Sequence, residues 1–365
     1  MDDYTWQKKL NERQSRSSRW QFLLFLCVAI ALGTAAWYFG FFIRTPEYSL
    51  EQARLAWQEK DGEKFKRYVN LSLLTSRAYD DLTVDLFAYD ATLTPQSKVM
   101  FEKFYILIKP QLSQGTEETI LRRLTSGDWT LPEGADILKG RQLGIDYERF
   151  LERSQLRNTT FLEVGKVERH GNTATAEVKV REDYTQTDFT LTFSMEKAED
   201  GHWQVAYIKN YKQYLDTIAP LQNKDIAEYI ESTKDIVADC NEKLRDQQIK
   251  FQSLTGTAAG KLTDYQKKHL KKLLTQEVIP TLQDRQAQLD LVTVPKGAQY
   301  LAAQRKLSTE TTIQAWEHFL KGLESDDQSE FAAAETLHKQ ELAIDLRVDE
   351  IIHHTALSKN IPNLP

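Results

Sequence analysis

Hydrophobic residues along this chain follow three successive patterns, and each pattern predicts a different kind of structure. The first is an apolar run over residues 22–43 that contains no charged residue. The second, over residues 47–217, begins with helical spacing and then changes to strict alternation. The third, over residues 221–365, keeps helical spacing among many charged residues and shows no strand pattern. Together they predict an α+β fold class with one N-terminal transmembrane helix, an α+β domain and a C-terminal all-α helical bundle.

The apolar run over 22–43 is long enough for a membrane-spanning helix. At about 1.5 Å per residue it extends about 33 Å, compared with about 30 Å for a bilayer core. Lys and Arg are concentrated in the preceding basic tail, residues 1–21, which the positive-inside rule places in the cytoplasm. We therefore predict a single-pass cell-membrane protein with extracytoplasmic C-terminal domains. A signal peptide cleaved near residues 34–36 is the alternative, disfavoured because the apolar run continues to Ile43.

Residues 47–217 begin with helices. Leu50, Ala53 and Ala56 share one helical face, and Asp61-Gly62 ends that helix. Helical spacing also predicts helices over residues 65–69, 71–86, 100–112 and 147–155. Pro110 is expected to break or kink the third of these, and residues 127–144 are expected to be mostly loop.

The alternating part of this domain predicts four antiparallel strands. They cover residues 161–167, 173–181, 189–196 and 203–207, with turns at His170-Gly171-Asn172 and Asp200-Gly201. One face is apolar and is formed by Ala174, Ala176, Val178, Val180, Phe189, Leu191, Phe193 and Met195. Tyr207 is the only titratable residue assigned to it. Such a face is either a packed core or an apolar pocket.

Helices followed by a curved sheet ending in a Trp-x-Val strand resemble the cone-shaped nuclear transport factor 2-like fold. More closely, the chain resembles a family of uncharacterised bacterial membrane proteins with one N-terminal span and such a domain outside. The similar features are Tyr48 to Trp57, the Asp61-Gly62 break, Phe65, Val69 and His202-Trp203-Gln204-Val205. The resemblance covers residues 47–215 and implies this fold and an extracytoplasmic setting. It supplies no catalytic residue.

The segment 221–365 is predicted to be a separate helical domain. One helix carries a narrow apolar seam formed by Ile226, Tyr229, Thr233, Ile236, Cys240 and Leu244. Others are predicted over 265–289, with a kink at Pro280, over 301–323, and from a Ser325–Gln328 capping box to His354. The result is a bundle of four helices, or three plus a rigid helix from the sheet domain. A coiled stalk is disfavoured because Lys243 and Gln247 interrupt the seam.

Charge and residue counts exclude several classes of protein. The chain has 47 Lys and Arg against 53 Asp and Glu, a net charge of −6 that opposes a general nucleic-acid binder. Two cysteines exclude a disulfide scaffold, and Cys240 falls on an apolar seam as a core residue. Glu350 and His354, with His338, have the spacing of metal ligands, but no established metal motif accompanies them. We therefore predict no metal, no cofactor and no catalytic residue.

The function that these patterns favour is a non-catalytic binding or scaffolding module in the cell envelope. It would be anchored in the membrane through residues 22–43 and would bind an envelope protein or an apolar ligand. One alternative is an envelope hydrolase or lyase that uses ionisable groups in the cone, such as Tyr147, Asp146 or Glu163. The other is a metal or small-ligand carrier that uses the C-terminal helical domain.

Overall fold

A computed structural model of the chain describes residues 23–34, 38, 40–83, 94–129, 147–256 and 262–358. Within these ranges the protein is α+β, with a four-stranded antiparallel sheet and many helices. The predicted α+β class and the antiparallel sheet are therefore confirmed. The resemblance to the nuclear transport factor 2-like fold stays a prediction.

The predicted transmembrane helix over residues 22–43 is contradicted. Among the helices that the structure describes, none is both long and apolar enough to cross a membrane. Residues 1–22, 35–37 and 39 lie outside the described ranges. The predicted cytoplasmic tail therefore lies there too, and the extracytoplasmic location stays a prediction.

Residues 46–83 form three helices, which lie before the long fourth helix of the sheet domain. They are α1 (Pro46–Glu59), α2 (Gly62–Tyr68) and α3 (Leu71–Thr83). The Thr45 hydroxyl oxygen caps α1 by accepting a hydrogen bond from the Tyr48 amide at 3.0 Å. The Asp61 carboxylate caps α2 in the same way, with the Lys64 amide at 2.9 Å. The first helix therefore ends just before the predicted Asp61-Gly62 break, and the same pair begins the second helix.

The fourth helix, α4 (Pro95–Ser126), passes through Pro110 without a break. Pro110 cannot donate a backbone hydrogen bond, which normally destabilises a helix interior. Ile108 and Leu112 lie on either side of it and are both buried, so tertiary packing holds the helix together across this position. Gly127 then ends α4 with a φ of 88°.

A short helix, α5 (Tyr147–Arg153), leads into the sheet. The strands are β1 (Thr159–His170), β2 (Thr173–Glu182), β3 (Thr187–Lys197) and β4 (Trp203–Ile208), in that spatial order. The register places Val178 opposite Val164 on one side and opposite Leu191 on the other. Because facing residues share a side of the sheet, the predicted apolar face is continuous across three strands.

The remaining described helices begin with α6 (Tyr211–Thr255), a single helix of 45 residues. The boundary predicted between residues 217 and 221 falls within it, and so does Pro220. The first turns of α6 pack on the sheet, where Ile218 is fully buried. Farther along, Ile226 packs against Leu301 and Ile351 in a second core. One helix therefore contributes to both cores.

The other helices of the C-terminal half are α7 (Asp264–Leu273), α8 (Ile279–Asp290), α9 (Gln299–Ser325) and α10 (Gln328–Ser358). A π-helical turn, Leu274–Val278, joins α7 to α8 immediately before Pro280, where a kink is predicted. The predicted Ser325 capping box is wrong, because Ser325 is the last residue of α9 and its hydroxyl donates to the Lys321 carbonyl. Asp327 caps α10 instead, accepting from the Ser329 amide at 2.9 Å.

Candidate functional site

The inner face of the sheet is filled by helices rather than open as a pocket in the described structure. Ala176 and Met195 on this face are fully buried against residues of α1, α2, α3 and α4. The other part of the face, around Val178, is covered by Tyr214 and Ile218 of α6. Of the two interpretations left open by the sequence, the structure supports a packed core.

Tyr207 does not lie on that inner face, contrary to its assignment from alternation. Val205 pairs with Met195, whereas Tyr207 pairs with Ser194, so Ala206 is an extra residue in β4. A bulge of this kind shifts the following residues to the opposite face. The inner face therefore gains Ile208, which pairs with Phe193, in place of the tyrosine.

The residues suggested for an acid–base site are not brought together by the described structure. Glu163 lies on the outer face of the sheet, where its carboxylate forms an ion pair with Lys179. Asp146 lies outside the described residues, and Tyr147 is the first residue of α5. The outer face has a second ion pair, between Arg181 and Asp188 at 2.6 Å. This pairing lowers the pKa of the Asp188 carboxyl.

The edge strand β1 exposes apolar side chains. Phe161, Leu162 and Val164 are 44%, 41% and 38% exposed, and we refer to these three residues as the β1 strip. Phe161 and Val164 pair with Val180 and Val178, so they continue the inner face beyond the part that helices cover. Register shifts follow both Phe161 and Val164, so the strand is irregular along the strip. Among the described strands, only β2 pairs with β1.

Partly buried hydrogen bonds attach α6 to the segment before the sheet. The Tyr211 hydroxyl donates to the Ser154 carbonyl at 2.7 Å, and the Tyr214 and Thr159 hydroxyls are 2.7 Å apart. Burial raises the pKa of Tyr214 to about 12, so its hydroxyl remains protonated at neutral pH. The side-chain amides of Gln155 and Gln222 also exchange two hydrogen bonds, at 2.9 and 3.0 Å.

Two arginines project into the interior of the C-terminal helices. Arg285 of α8 donates to the Thr309 hydroxyl oxygen at 2.6 Å, and Arg305 of α9 donates to that of Thr233 at 2.7 Å. Arg305 also lies 5.3 Å from the ring centroid of Tyr229. Both threonines are fully buried, and both guanidinium groups are half-buried. We call these five residues the arginine seam.

The sequence analysis missed the arginine seam, although it placed Tyr229 and Thr233 on an apolar helical face. The signal that could have revealed it is the position of each arginine relative to the buried face of its own helix. Arg285 is three residues after the buried Leu282, and Arg305 is four residues after the buried Leu301. Each arginine therefore lies near the core-facing side of its helix.

The histidines and Cys240 occupy ordinary structural positions. The His338 Nδ1 atom lies 2.8 Å from a Glu341 carboxylate oxygen, within hydrogen-bonding distance. Among the described residues, no group of three or more His, Cys, Asp or Glu side chains is arranged to hold a metal ion. Cys240 is a buried free thiol, and burial raises its pKa while the charge of Arg285 acts in the opposite direction.

Comparison of the chain with protein-family models, with curated proteins and with solved structures finds no match.

Proposed function

We propose that this protein is a non-catalytic binding module that docks a partner protein on the β1 strip. The observation that carries the proposal is the half-exposed apolar surface of Phe161, Leu162 and Val164 on an edge strand. Contiguous exposed apolar side chains on a folded domain are typical of interaction sites. The packed inner face supports the same interpretation, because the described helices that fill it leave this edge of the face exposed.

The charges around the strip indicate the chemistry of the partner. Glu163 is paired with Lys179, and Lys166 is paired with Glu168 at 2.5 Å. These side chains already neutralise one another, so they do not require an oppositely charged partner. The occupant that fits is an uncharged apolar segment of another protein. The register shifts along β1 favour side-chain docking over addition of a regular strand.

The proposal is tested with a photo-crosslinking amino acid at position 162 of the full chain, in the cells that produce it. A matched variant carries the same amino acid at exposed position 177, on the outer face of β2. We expect an adduct from position 162 that is absent from position 177 and is lost when Phe161→Asp is added. The partner peptide identified in that adduct, made synthetically, should bind the full chain and lose at least about tenfold in affinity with Val164→Asp.

Equal crosslinking at positions 162 and 177 would refute the proposal. So would an adduct that joins residue 162 to another part of the same chain, because the strip would then be covered internally. Thermal unfolding of the Phe161→Asp and Val164→Asp variants provides the folding control. Both are expected to unfold near the wild-type temperature, because these side chains are only partly buried.

A further inference from the structure

The arginine seam places two positive charges close together without a negative partner. Among the residues that the structure describes, neither Arg285 nor Arg305 forms an ion pair with a carboxylate. Their direct partners are neutral: the threonine hydroxyls, the Tyr229 ring and, for Arg285, the Cys240 thiol. The half-buried Arg157, by contrast, is held by the Glu148 carboxylate.

An unbalanced pair of half-buried cations is electrostatically unfavourable. Burial lowers the pKa of the Arg305 guanidinium, and the positive charge of Arg285 lowers it further, against an opposing effect of Tyr229. A guanidinium has five N–H donors. The Arg285 Nε atom is buried and has no hydrogen-bond acceptor among the described residues. The seam therefore has both spare positive charge and spare donors, which an anion would satisfy.

We propose that the arginine seam is a binding site for a phosphate group, supplied as inorganic phosphate or as a phosphate monoester. Guanidinium groups bind phosphate oxygens through paired charge-assisted hydrogen bonds. The seam is built from three helices, with Thr233 on α6, Arg285 on α8 and Arg305 and Thr309 on α9. Its charged donors come from two helices, Arg285 on α8 and Arg305 on α9. Donors from two helices suit the tetrahedral oxygens of phosphate better than the two coplanar oxygens of a carboxylate.

The site is separate from the β1 strip and does not depend on the docking function proposed above. Its residues belong to the C-terminal helices, whereas the strip belongs to the edge of the sheet. A phosphate group bound by both arginines would also link α8 to α9. The expected consequence is greater resistance of the helical half to unfolding when phosphate is present.

The test measures binding to the full chain by calorimetry and by thermal unfolding. The probes are inorganic phosphate, glycerol 3-phosphate and acetate, each titrated at constant ionic strength maintained with chloride. We expect saturable binding and a rise in Tm with at least one of the two phosphate probes, and neither effect with acetate. A larger effect of inorganic phosphate identifies the free ion as the ligand, whereas a larger effect of glycerol 3-phosphate identifies a monoester.

Substitutions separate site binding from general charge effects. Arg285→Gln and Arg305→Gln should each weaken phosphate binding at least about tenfold, because each removes a charged donor. Arg245→Gln, which removes an exposed arginine from α6, should leave it unchanged. Arg305→Lys keeps the charge and provides a folded variant if the glutamine variants unfold. It should bind phosphate more weakly than wild type because lysine lacks the paired donors.

Three results would overturn the proposal. The first is the absence of saturable phosphate binding to wild-type protein. The second is an equal response to acetate, which would indicate a general anion effect. The third is equal phosphate binding by Arg305→Lys and wild type, since a site that needs only charge is not the site described here.

Discussion

The buried carboxylate of Glu182 is expected to contribute strongly to the stability of the β2–β3 hairpin. Glu182 is the last residue of β2 and is fully buried. Its carboxylate accepts hydrogen bonds from the Tyr184 amide at 2.9 Å, from the Thr185 amide at 2.6 Å and from the Thr185 hydroxyl at 2.6 Å. These bonds fold the chain back toward β3, and the Glu182 carboxylate is the acceptor in all three.

The magnitude follows from the groups that lose their acceptor in Glu182→Ala. Two backbone amides and one hydroxyl are left without it, and each unsatisfied buried group costs about 1–3 kcal/mol. All three bonds are only partly buried, so water partly replaces the carboxylate and the lower end of that range applies. We therefore expect Glu182→Ala to lower the free energy of unfolding by about 3 kcal/mol. Glu182→Gln retains one acceptor oxygen and should cost about half as much.

Urea denaturation and amide hydrogen exchange together measure this effect. Exchange at the Tyr184 and Thr185 amides should accelerate at least about tenfold in Glu182→Ala, because loss of the acceptor favours local opening. The matched control is Glu177→Ala, which removes an exposed glutamate from the same strand. It should change the free energy of unfolding by less than about 0.5 kcal/mol. Equal stability of the two alanine variants, or unchanged exchange at both amides, would refute this reasoning.

Three further perturbations test packing and electrostatics elsewhere. Ile218→Ala, at a fully buried position of α6, should lower the free energy of unfolding in urea by about 2–5 kcal/mol. Gly297→Ala places a Cβ 3.0 Å from the side chain of Asp225, whose carboxylate accepts a hydrogen bond from the Gly297 amide. This substitution should lower the free energy of unfolding in urea by about 1–3 kcal/mol. Burial, and then the charge of Asp345, raise the pKa of Asp349. The folded state therefore binds this proton more tightly than the unfolded state, so stability should rise as pH falls through the folded pKa, and Asp349→Asn should remove that part of the pH dependence.

Each of these three perturbations has a control that isolates the cause of the expected change in stability. Leu221→Ala removes an exposed leucine from α6 and should have little effect beside Ile218→Ala. Gly62→Ala adds a Cβ that meets only ordinary contacts at 3.7 Å, so it should be tolerated where Gly297→Ala is not. A pH dependence of unfolding that is identical in wild type and Asp349→Asn would contradict the electrostatic argument.

The sheet was predictable because its alternating pattern is local. Ala174 to Val180 alternate with polar residues, and one face must be buried by whatever lies next to it. The facing of Tyr207 was not predictable in the same way, because one extra residue, Ala206, reverses the alternation after it. Nothing in the local pattern of β4 marks the bulge, which becomes visible only in its pairing with β3.

Tertiary packing also keeps two helices continuous across prolines. Pro110 and Pro220 both weaken a helix locally, and the sequence predicts a break or kink at Pro110. In the structure, α4 and α6 continue through them because residues on both sides are buried in tertiary contacts. Ile218 and Ile226 flank Pro220 and belong to different cores. Local propensity cannot reveal support that comes from two separate parts of the chain.

The sequence analysis predicted too much at the N-terminus, and it predicted too little at the arginine seam. Hydropathy over residues 22–43 favoured a membrane-spanning helix, whereas none of the described helices is both long and apolar enough to cross a membrane. In the C-terminal half, Arg285 and Arg305 look like ordinary surface charges, because composition alone does not show which helix face each one occupies. Their importance depends on three helices meeting, and that meeting is a property of the tertiary structure.

The continuity of α6 also bears on how such a chain can be rearranged during evolution. Tyr211, Tyr214 and Ile218 of α6 belong to the sheet core, while Ile226 and Tyr229 of the same helix belong to the helical core. A recombination event at Pro220 would therefore cut α6 into two shorter helices. Each would lose the support that it receives from the other core. The two halves are therefore expected to be inherited, lost or duplicated together, as one indivisible unit.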